Sequence, residues 1–199
     1  YMVKSGLVND VTVSHYRLSI HLSTAVLIIS TMFWLIRNVS SNNTKLFFKF
    51  DIGNIFFQLL IFIIFIQIIM GAFVSGLDAG KIYQTWPLMG ENFLPNYLSI
   101  LTFKNIIDFN DHSLMQFYHR NLAYFLILYV LIMTLFIYKK KISFLYKPLN
   151  ILLVFLFLQV FLGIYTLISG LNIYLASAHQ ITSVLLIFSA LNLYYLKTK

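Results

Sequence analysis

Three histidines lie inside long apolar stretches of the chain, where a polar side chain is rare and costly unless it has a partner. They are His21, His119 and His179. Each falls within roughly the first two turns of its stretch, which at a rise of 1.5 Å per residue predicts a common depth of about 5–10 Å below one membrane surface. Neutral imidazole binds iron, zinc or copper. The three positions therefore predict a metal or cofactor site near one face of a membrane bundle.

The chemistry of that site is narrowed by which residue types are missing around it. The chain has no cysteine, and the apolar stretches carry no acidic residue, which argues against a hydrolytic zinc centre. Two imidazoles facing each other across a bundle are typical of a six-coordinate haem. We interpret His119 and His179 as that axial pair. The alternative is that each histidine bonds a neighbouring carbonyl and holds no metal.

Two arginines accompany these histidines, and both could serve the same cofactor. Arg120 follows His119 directly, and Arg17 lies one turn before His21. A guanidinium suits the carboxylate of a haem propionate. Snorkelling to lipid headgroups explains the two arginines equally well.

Four further polar residues receive structural interpretations. His15 and His112 are expected in loops at or outside the membrane surface. Thr24 and Thr182, one turn beyond His21 and His179, are expected to bond a carbonyl of their own helix.

The composition fixes the fold class. The chain of 199 residues is 60% hydrophobic, which is more apolar surface than a soluble domain of this length can bury. The apolar residues form five stretches, each with the roughly 20 residues that cross a bilayer: 15–36, 55–76, 116–138, 149–169 and 174–196. The sequence predicts an all-α, polytopic membrane bundle of five transmembrane helices in contact with the lipid bilayer.

The basic residues predict the orientation. Most lie in the first and third loops and the tail: Arg37, Lys45, Lys49, Lys139, Lys140, Lys141, Lys147, Lys197 and Lys199. The longer second loop holds only Lys81 and Lys104, beside acidic residues. By the positive-inside rule the N-terminus lies outside and the C-terminus inside. This rule also explains the net charge of +8, so no nucleic-acid partner is expected.

An internal repeat relates the first stretch to the last. Ser, His, Thr, Val and Leu recur at the same offsets around His21 and His179. The second and fourth stretches share a weaker echo, Gln67-x-x-x-Gly71 and Gln159-x-x-x-Gly163. The glycines most simply allow close helix packing, or leave room for a flat macrocycle. The repeat indicates that His21 belongs to a second, similar site.

Several motifs, in order along the whole chain, resemble the haem A synthase family. The specific segments are residues 2–7, Tyr16-Arg17-Leu18 leading to His21, residues 71–80, Trp86-Pro87-Leu88-Met89-Gly90, Gln116-Phe117-Tyr118-His119-Arg120, residues 158–163 and Ala178-His179-Gln180. The resemblance implies an eight-helix protein of two four-helix halves, which oxidises a methyl group of haem O to the formyl group of haem A. It implies a haem b held by His119 and His179. His21 then ligates the iron of the substrate haem in the other half.

The resemblance also implies a division of this chain. Residues 1–53 end the N-terminal half, and residues 54–199 form the haem b half. Five of eight helices are matched, so the chain is expected to be a C-terminal portion whose catalytic glutamate and second substrate-haem histidine lie upstream. The absence of cysteine fits the branch without disulfide-bonded outer loops.

The expected setting follows from the same resemblance. We expect a bacterial inner membrane, with the mitochondrial inner membrane as the alternative, and contact with haem O synthase and terminal oxidase assembly. A homo-oligomer is compatible with the sequence, and the electron acceptor is unknown. The competing functional hypothesis is a haem b electron-transfer subunit with no catalysis of its own.

Overall fold

Five long helices account for most of the computed structural model, which describes residues 13–49, 51–95 and 108–198. The segment 2–7, Lys104 and Lys199, used above, lie outside these residues. The helices are α1 (His15–Ser40), α2 (Ile52–Gly76), α3 (His112–Lys139), α4 (Tyr146–Ile168) and α5 (Ile173–Lys197). All five are long and apolar enough to cross a membrane. The prediction of an all-α, multi-pass membrane bundle is confirmed.

The starts of two helices are set by capping side chains. Asp111 accepts a hydrogen bond from the Leu114 amide at 2.9 Å, and Asn172 accepts one from the Tyr174 amide at 3.0 Å. Such caps satisfy amides that have no partner within the helix. The Asp111 cap starts α3 one turn before the apolar stretch predicted from residue 116, so His119 lies about two turns inside its helix.

Helices α2 to α5 form a four-helix group, and α1 packs on its outside against α2 and α5. Within the group α2 packs against α3 and α5, and α4 packs closely against α5. The contact of α3 with α4 is much sparser. The two helices that carry His119 and His179 therefore stand diagonally in the group.

Buried apolar residues form two separate clusters along the bundle. The larger cluster lies toward the end where α1 and α3 finish, which we call the lysine end. The smaller cluster includes Met70, Leu77 and Met115 and lies at the opposite, histidine end, where α1, α3 and α5 begin. The layer between the clusters contains polar side chains and glycine, so the site interrupts the apolar core.

The lysine end is closed by a network around Tyr194 and Tyr195. Gln58 donates to the Phe47 carbonyl at 2.9 Å and to the Tyr194 hydroxyl at 2.7 Å. Lys45 donates to the carbonyls of Tyr195, at 3.0 Å, and of Thr198, and its ammonium stands 4.5 Å from the centre of the Tyr195 ring. A cation on the last carbonyls of a helix is favourable for both charge and hydrogen bonding.

Lys45→Met is expected to lower the thermal stability of the purified protein. The variant loses a cationic cap worth about 0.3–1 kcal/mol and a cation–π contact worth about 0.5–1 kcal/mol. Thermal unfolding in detergent, followed by circular dichroism, measures the effect. Lys140→Met is the control: Lys140 is exposed at the end of α3, so it loses only a solvent-screened charge effect, and its melting temperature should fall by less than that of Lys45→Met. Equal melting temperatures for both variants would contradict the capping role.

Candidate functional site

His119 lies against the face of α2 that carries Gln67 and Gly71. A Cβ added to Gly71 would lie 3.1 Å from Cε1 of the imidazole, so only glycine leaves the ring its present place without adjustment. The Gln67 amide nitrogen lies 3.2 Å from His119 Nδ1 and donates to the His119 carbonyl at 3.0 Å. Glutamine and glycine four residues apart share one helix face, so a single face of α2 both supports and orients the ring.

His179 has the same surroundings on the neighbouring pair of helices. A Cβ added to Gly163 of α4 would lie 2.9 Å from Cε1 of the His179 ring. The Gln159 amide nitrogen lies 3.2 Å from His179 Nε2. The echo between the second and fourth apolar stretches is therefore a repeated structural unit, in which glutamine and glycine of one helix hold the histidine of the next.

The two histidine units lie at the same end of the bundle. His119 is seven residues after the start of α3 and His179 is six residues after the start of α5. Buried polar atoms there include Gln67 Oε1, Gln159 Oε1 and His179 Nδ1, and none has a hydrogen-bond partner among the described residues. Unpartnered buried polar atoms are costly unless a further group completes them. Two imidazoles, each beside a glycine of the neighbouring helix, and buried polar atoms without partners fit a flat macrocycle with an iron at its centre.

His21 does not join this pair. Its side chain is exposed, on the face of α1 that also presents Ile28 and Leu35 away from the bundle. Thr24 and Thr182 donate to the carbonyls of Ile20 and Ala178, four residues earlier, as predicted. The sequence repeat around His21 and His179 thus holds for local helix structure. Of these two histidines, only His179 lies against a glutamine and a glycine of a neighbouring helix among the described residues.

Arg120 fixes the segment that follows α2. Its guanidinium donates to the carbonyls of Tyr83 at 2.9 Å and Leu88 at 3.2 Å, and Gln116 donates to the same Tyr83 carbonyl at 2.9 Å. The segment 77–95 is thereby tied to the start of α3, through two residues that flank His119 in the sequence. Propionate pairing by Arg120 stays a prediction, and the loop contacts are a role that the sequence did not suggest.

The expectation that His112 is a loop residue is wrong, because it is the first residue of α3. His15, also expected in a loop, is the first residue of α1, where the first predicted stretch begins. The His15 ring packs against Tyr16 and Phe73, with ring centres 4.3 and 5.9 Å away. A Cβ on Gly76 would lie 2.8 Å from the His15 Cα, so the start of α1 packs tightly on the end of α2. Arg17, in the first turn of α1, stays a predicted ligand-binding residue.

Arg120→Met is expected to loosen the segment 77–95 while leaving the five helices intact. The variant loses two charge-assisted hydrogen bonds, each worth about 1.5–3 kcal/mol. Hydrogen–deuterium exchange at residues 82–92 should rise by at least tenfold, since 1.4 kcal/mol is about a factor of ten.

Lys81→Ala is the control for Arg120→Met. Lys81 pairs with Asp78 at 2.7 Å, but both side chains are more than 60% exposed, and exposed pairs contribute about 0–1 kcal/mol. Exchange in the segment should change little in this variant. Unchanged exchange in Arg120→Met would contradict the anchoring role.

The chain is similar in sequence to a family of known proteins. Residues 1–191 match the model of the COX15-CtaA family, described as cytochrome oxidase assembly protein. Curated relatives named heme A synthase include those of Pelagibacter ubique (strain HTCC1062), 42% identical over 189 residues, and Rickettsia felis (strain ATCC VR-1525 / URRWXCal2), 38% identical over 193 residues. These alignments cover 95% and 94% of this chain but only 55% and 56% of the relatives. The chain thus spans little more than half of their length.

Proposed function

Because the chain belongs to the COX15-CtaA family of cytochrome oxidase assembly proteins, we propose that it is the part of a haem A synthase that holds haem b between His119 and His179. The observation that carries this proposal is the repeated glutamine–glycine–histidine unit, which places each imidazole against a glutamine and a glycine of the preceding helix. Histidine pairs on facing helices are a common way to hold a six-coordinate haem in a bundle.

The residues of the site divide the work of binding. His119 and His179 supply the two iron ligands, and Gly71 and Gly163 leave room for their rings. Arg120 lies one residue from the ligand and holds the segment 77–95 over it, which limits access of water. A haem held in this way supplies a one-electron redox centre near one membrane face.

The reaction of the whole protein is the oxidation of a haem O methyl group to the formyl group of haem A. We assign His21 to the iron of that substrate haem, because an exposed imidazole inside a membrane-spanning helix calls for a partner. Residues 1–53 then finish the substrate half and residues 54–199 form the haem b half. Arg17 and Arg120 are proposed to approach the propionates.

The proposed setting is a bacterial inner membrane with the start of this chain outside and its end inside, following the basic residues of the loops. Relatives in Pelagibacter and Rickettsia favour bacteria over mitochondria. Haem O synthase and terminal oxidase assembly are the proposed partners.

A second candidate is a haem b electron-transfer subunit without chemistry of its own. The observation in its favour is that His119 and His179 each lie against a glutamine and a glycine of a neighbouring helix, while the His21 side chain is exposed.

One experiment separates the two functions. The natural gene that encodes this chain is expressed in cells that make haem O, and the extracted haems are analysed by chromatography and mass. Haem A is the expected product. A purified protein with a bis-imidazole haem spectrum but no haem A in the cells would favour the electron-transfer subunit, and absence of bound haem would overturn both.

A further inference from the structure

Gln67 and Gln159 each place a side-chain amide on the ring of one candidate ligand. Gln159 Nε2 lies 3.2 Å from His179 Nε2, while Gln159 Oε1 and His179 Nδ1 are both buried without a partner. Gln67 Nε2 lies 3.2 Å from His119 Nδ1 and 3.5 Å from Nε2, and Gln67 Oε1 is also buried without a partner. In both pairs the amide oxygen of the glutamine is a buried acceptor without a hydrogen-bond partner among the described residues.

A neutral imidazole has one nitrogen with a free lone pair and one that carries hydrogen. A metal takes the lone pair, so the other nitrogen becomes a donor that needs an acceptor. The amide N–H faces the lone pair of one ring nitrogen, Nδ1 of His119 or Nε2 of His179. When the opposite ring nitrogen ligates iron, the facing nitrogen carries the hydrogen, and the amide oxygen is the acceptor within reach once the amide turns.

We propose that Gln67 and Gln159 are positioning residues for the axial histidines, and that each amide oxygen accepts a hydrogen bond from the ring nitrogen that does not bind iron. This inference rests on the proposed haem site. Turning the amide about its last torsion exchanges the nitrogen and the oxygen without moving the helices. Acceptors of this kind fix the ring plane and make the imidazole a stronger electron donor.

The two glutamines differ in the hydrogen bonds that they lose when the amide turns. Gln159 has its one described hydrogen bond to the ring, so its amide turns freely. Gln67 also donates to the His119 carbonyl at 3.0 Å, and that bond is lost when its amide turns. The stronger effect on the haem is therefore expected from Gln159.

The test is a redox titration of the haem in purified protein. Gln159→Met keeps the length of the side chain but removes the acceptor, so ferric haem loses stabilisation and the midpoint potential rises. Residues that hydrogen-bond the ligands of a metal contribute about 10- to 100-fold to metal affinity. A tenfold loss for ferric relative to ferrous haem is a rise of about 59 mV for a one-electron couple. Gln159→Glu keeps an acceptor that is stronger when ionised, and should lower the potential. Gln67→Met should raise it by less.

Gln58→Met is the matched control. Gln58 is on the same helix as Gln67, and its amide bonds Phe47 and Tyr194 at the lysine end, so this variant should lose stability and keep the wild-type potential. If Gln159→Met does not retain haem, the midpoint potential of Gln159→Glu alone tests the inference, which requires a value below that of the wild type. Potentials equal to wild type, or shifted in the same direction by methionine and glutamate, would overturn the inference. Wild-type protein without haem would overturn the proposed function instead.

Discussion

His119→Ala and His179→Ala are each expected to abolish the bis-imidazole spectrum of the bound haem. Either variant removes one of the two proposed iron ligands, His119 of α3 or His179 of α5. With one ligand left, the haem becomes five-coordinate or is lost during purification. Haem content per protein and the low-spin absorption bands of the purified variants measure the effect. The low-spin signal should fall by about 90% or more, since even the hydrogen-bond partners of metal ligands contribute about 10- to 100-fold to affinity.

Two other histidines serve as controls for that experiment. His112 is exposed at the first residue of α3, so His112→Ala should keep the full spectrum. His21→Ala should also keep the haem of the His119–His179 site, but in cells it should stop haem A formation if His21 serves the substrate haem. Retention of the low-spin spectrum in His119→Ala or His179→Ala would contradict the assigned ligands.

The helices could be predicted from the sequence because their physical cause is local. A run of about 20 apolar residues has few alternatives to a transmembrane helix. The ends were less predictable where a side chain sets them, as Asp111 does for α3. The position of His112 was misjudged for the same reason, since the cap adds one turn to the apolar stretch.

The candidate site was only half predictable. His119 and His179 were identifiable because histidine is rare in an apolar span. Gln67 and Gln159 were visible only as a weak echo, since nothing local shows which face of α2 or α4 meets a histidine. That information lies in how neighbouring helices are rotated against each other. The signal that could have found the pair is the equal spacing to glycine on the two helices that precede the histidine helices.

The role of Arg120 shows the same limit. A cation beside a candidate ligand suggested carboxylate binding or snorkelling, because both follow from charge and depth alone. The contacts with the carbonyls of Tyr83 and Leu88 depend on the path of a loop some 30 residues earlier in sequence. Loop paths are set by many weak contacts, so this anchoring could not be derived from residue types.

Gly163→Ala is expected to weaken haem binding by about 10- to 100-fold while leaving the haem-free protein at least as stable. The added methyl group would lie 2.9 Å from the His179 ring, and such overpacking costs about 1–3 kcal/mol when the neighbour cannot move. In the haem-free protein the ring can turn aside, and alanine favours the helix over glycine by about 1 kcal/mol. With an iron bound, the ring is held and the clash remains. Haem titration and thermal unfolding of the haem-free variant measure the two effects separately.

Two further glycine variants bracket that result. Gly71→Ala should weaken haem binding less, because its methyl group would lie 3.1 Å from the His119 ring. Gly53→Ala places a methyl group 3.4 Å from the Asp51 carboxylate and 3.6 Å from the Lys197 ammonium, which are ordinary contacts at the lysine end, so haem affinity should not change. Equal haem affinity in all three variants would contradict the requirement for glycine beside the His119 and His179 rings. A Gly163→Ala protein that loses stability without haem would place the clash in the helix packing and not at the iron ligand.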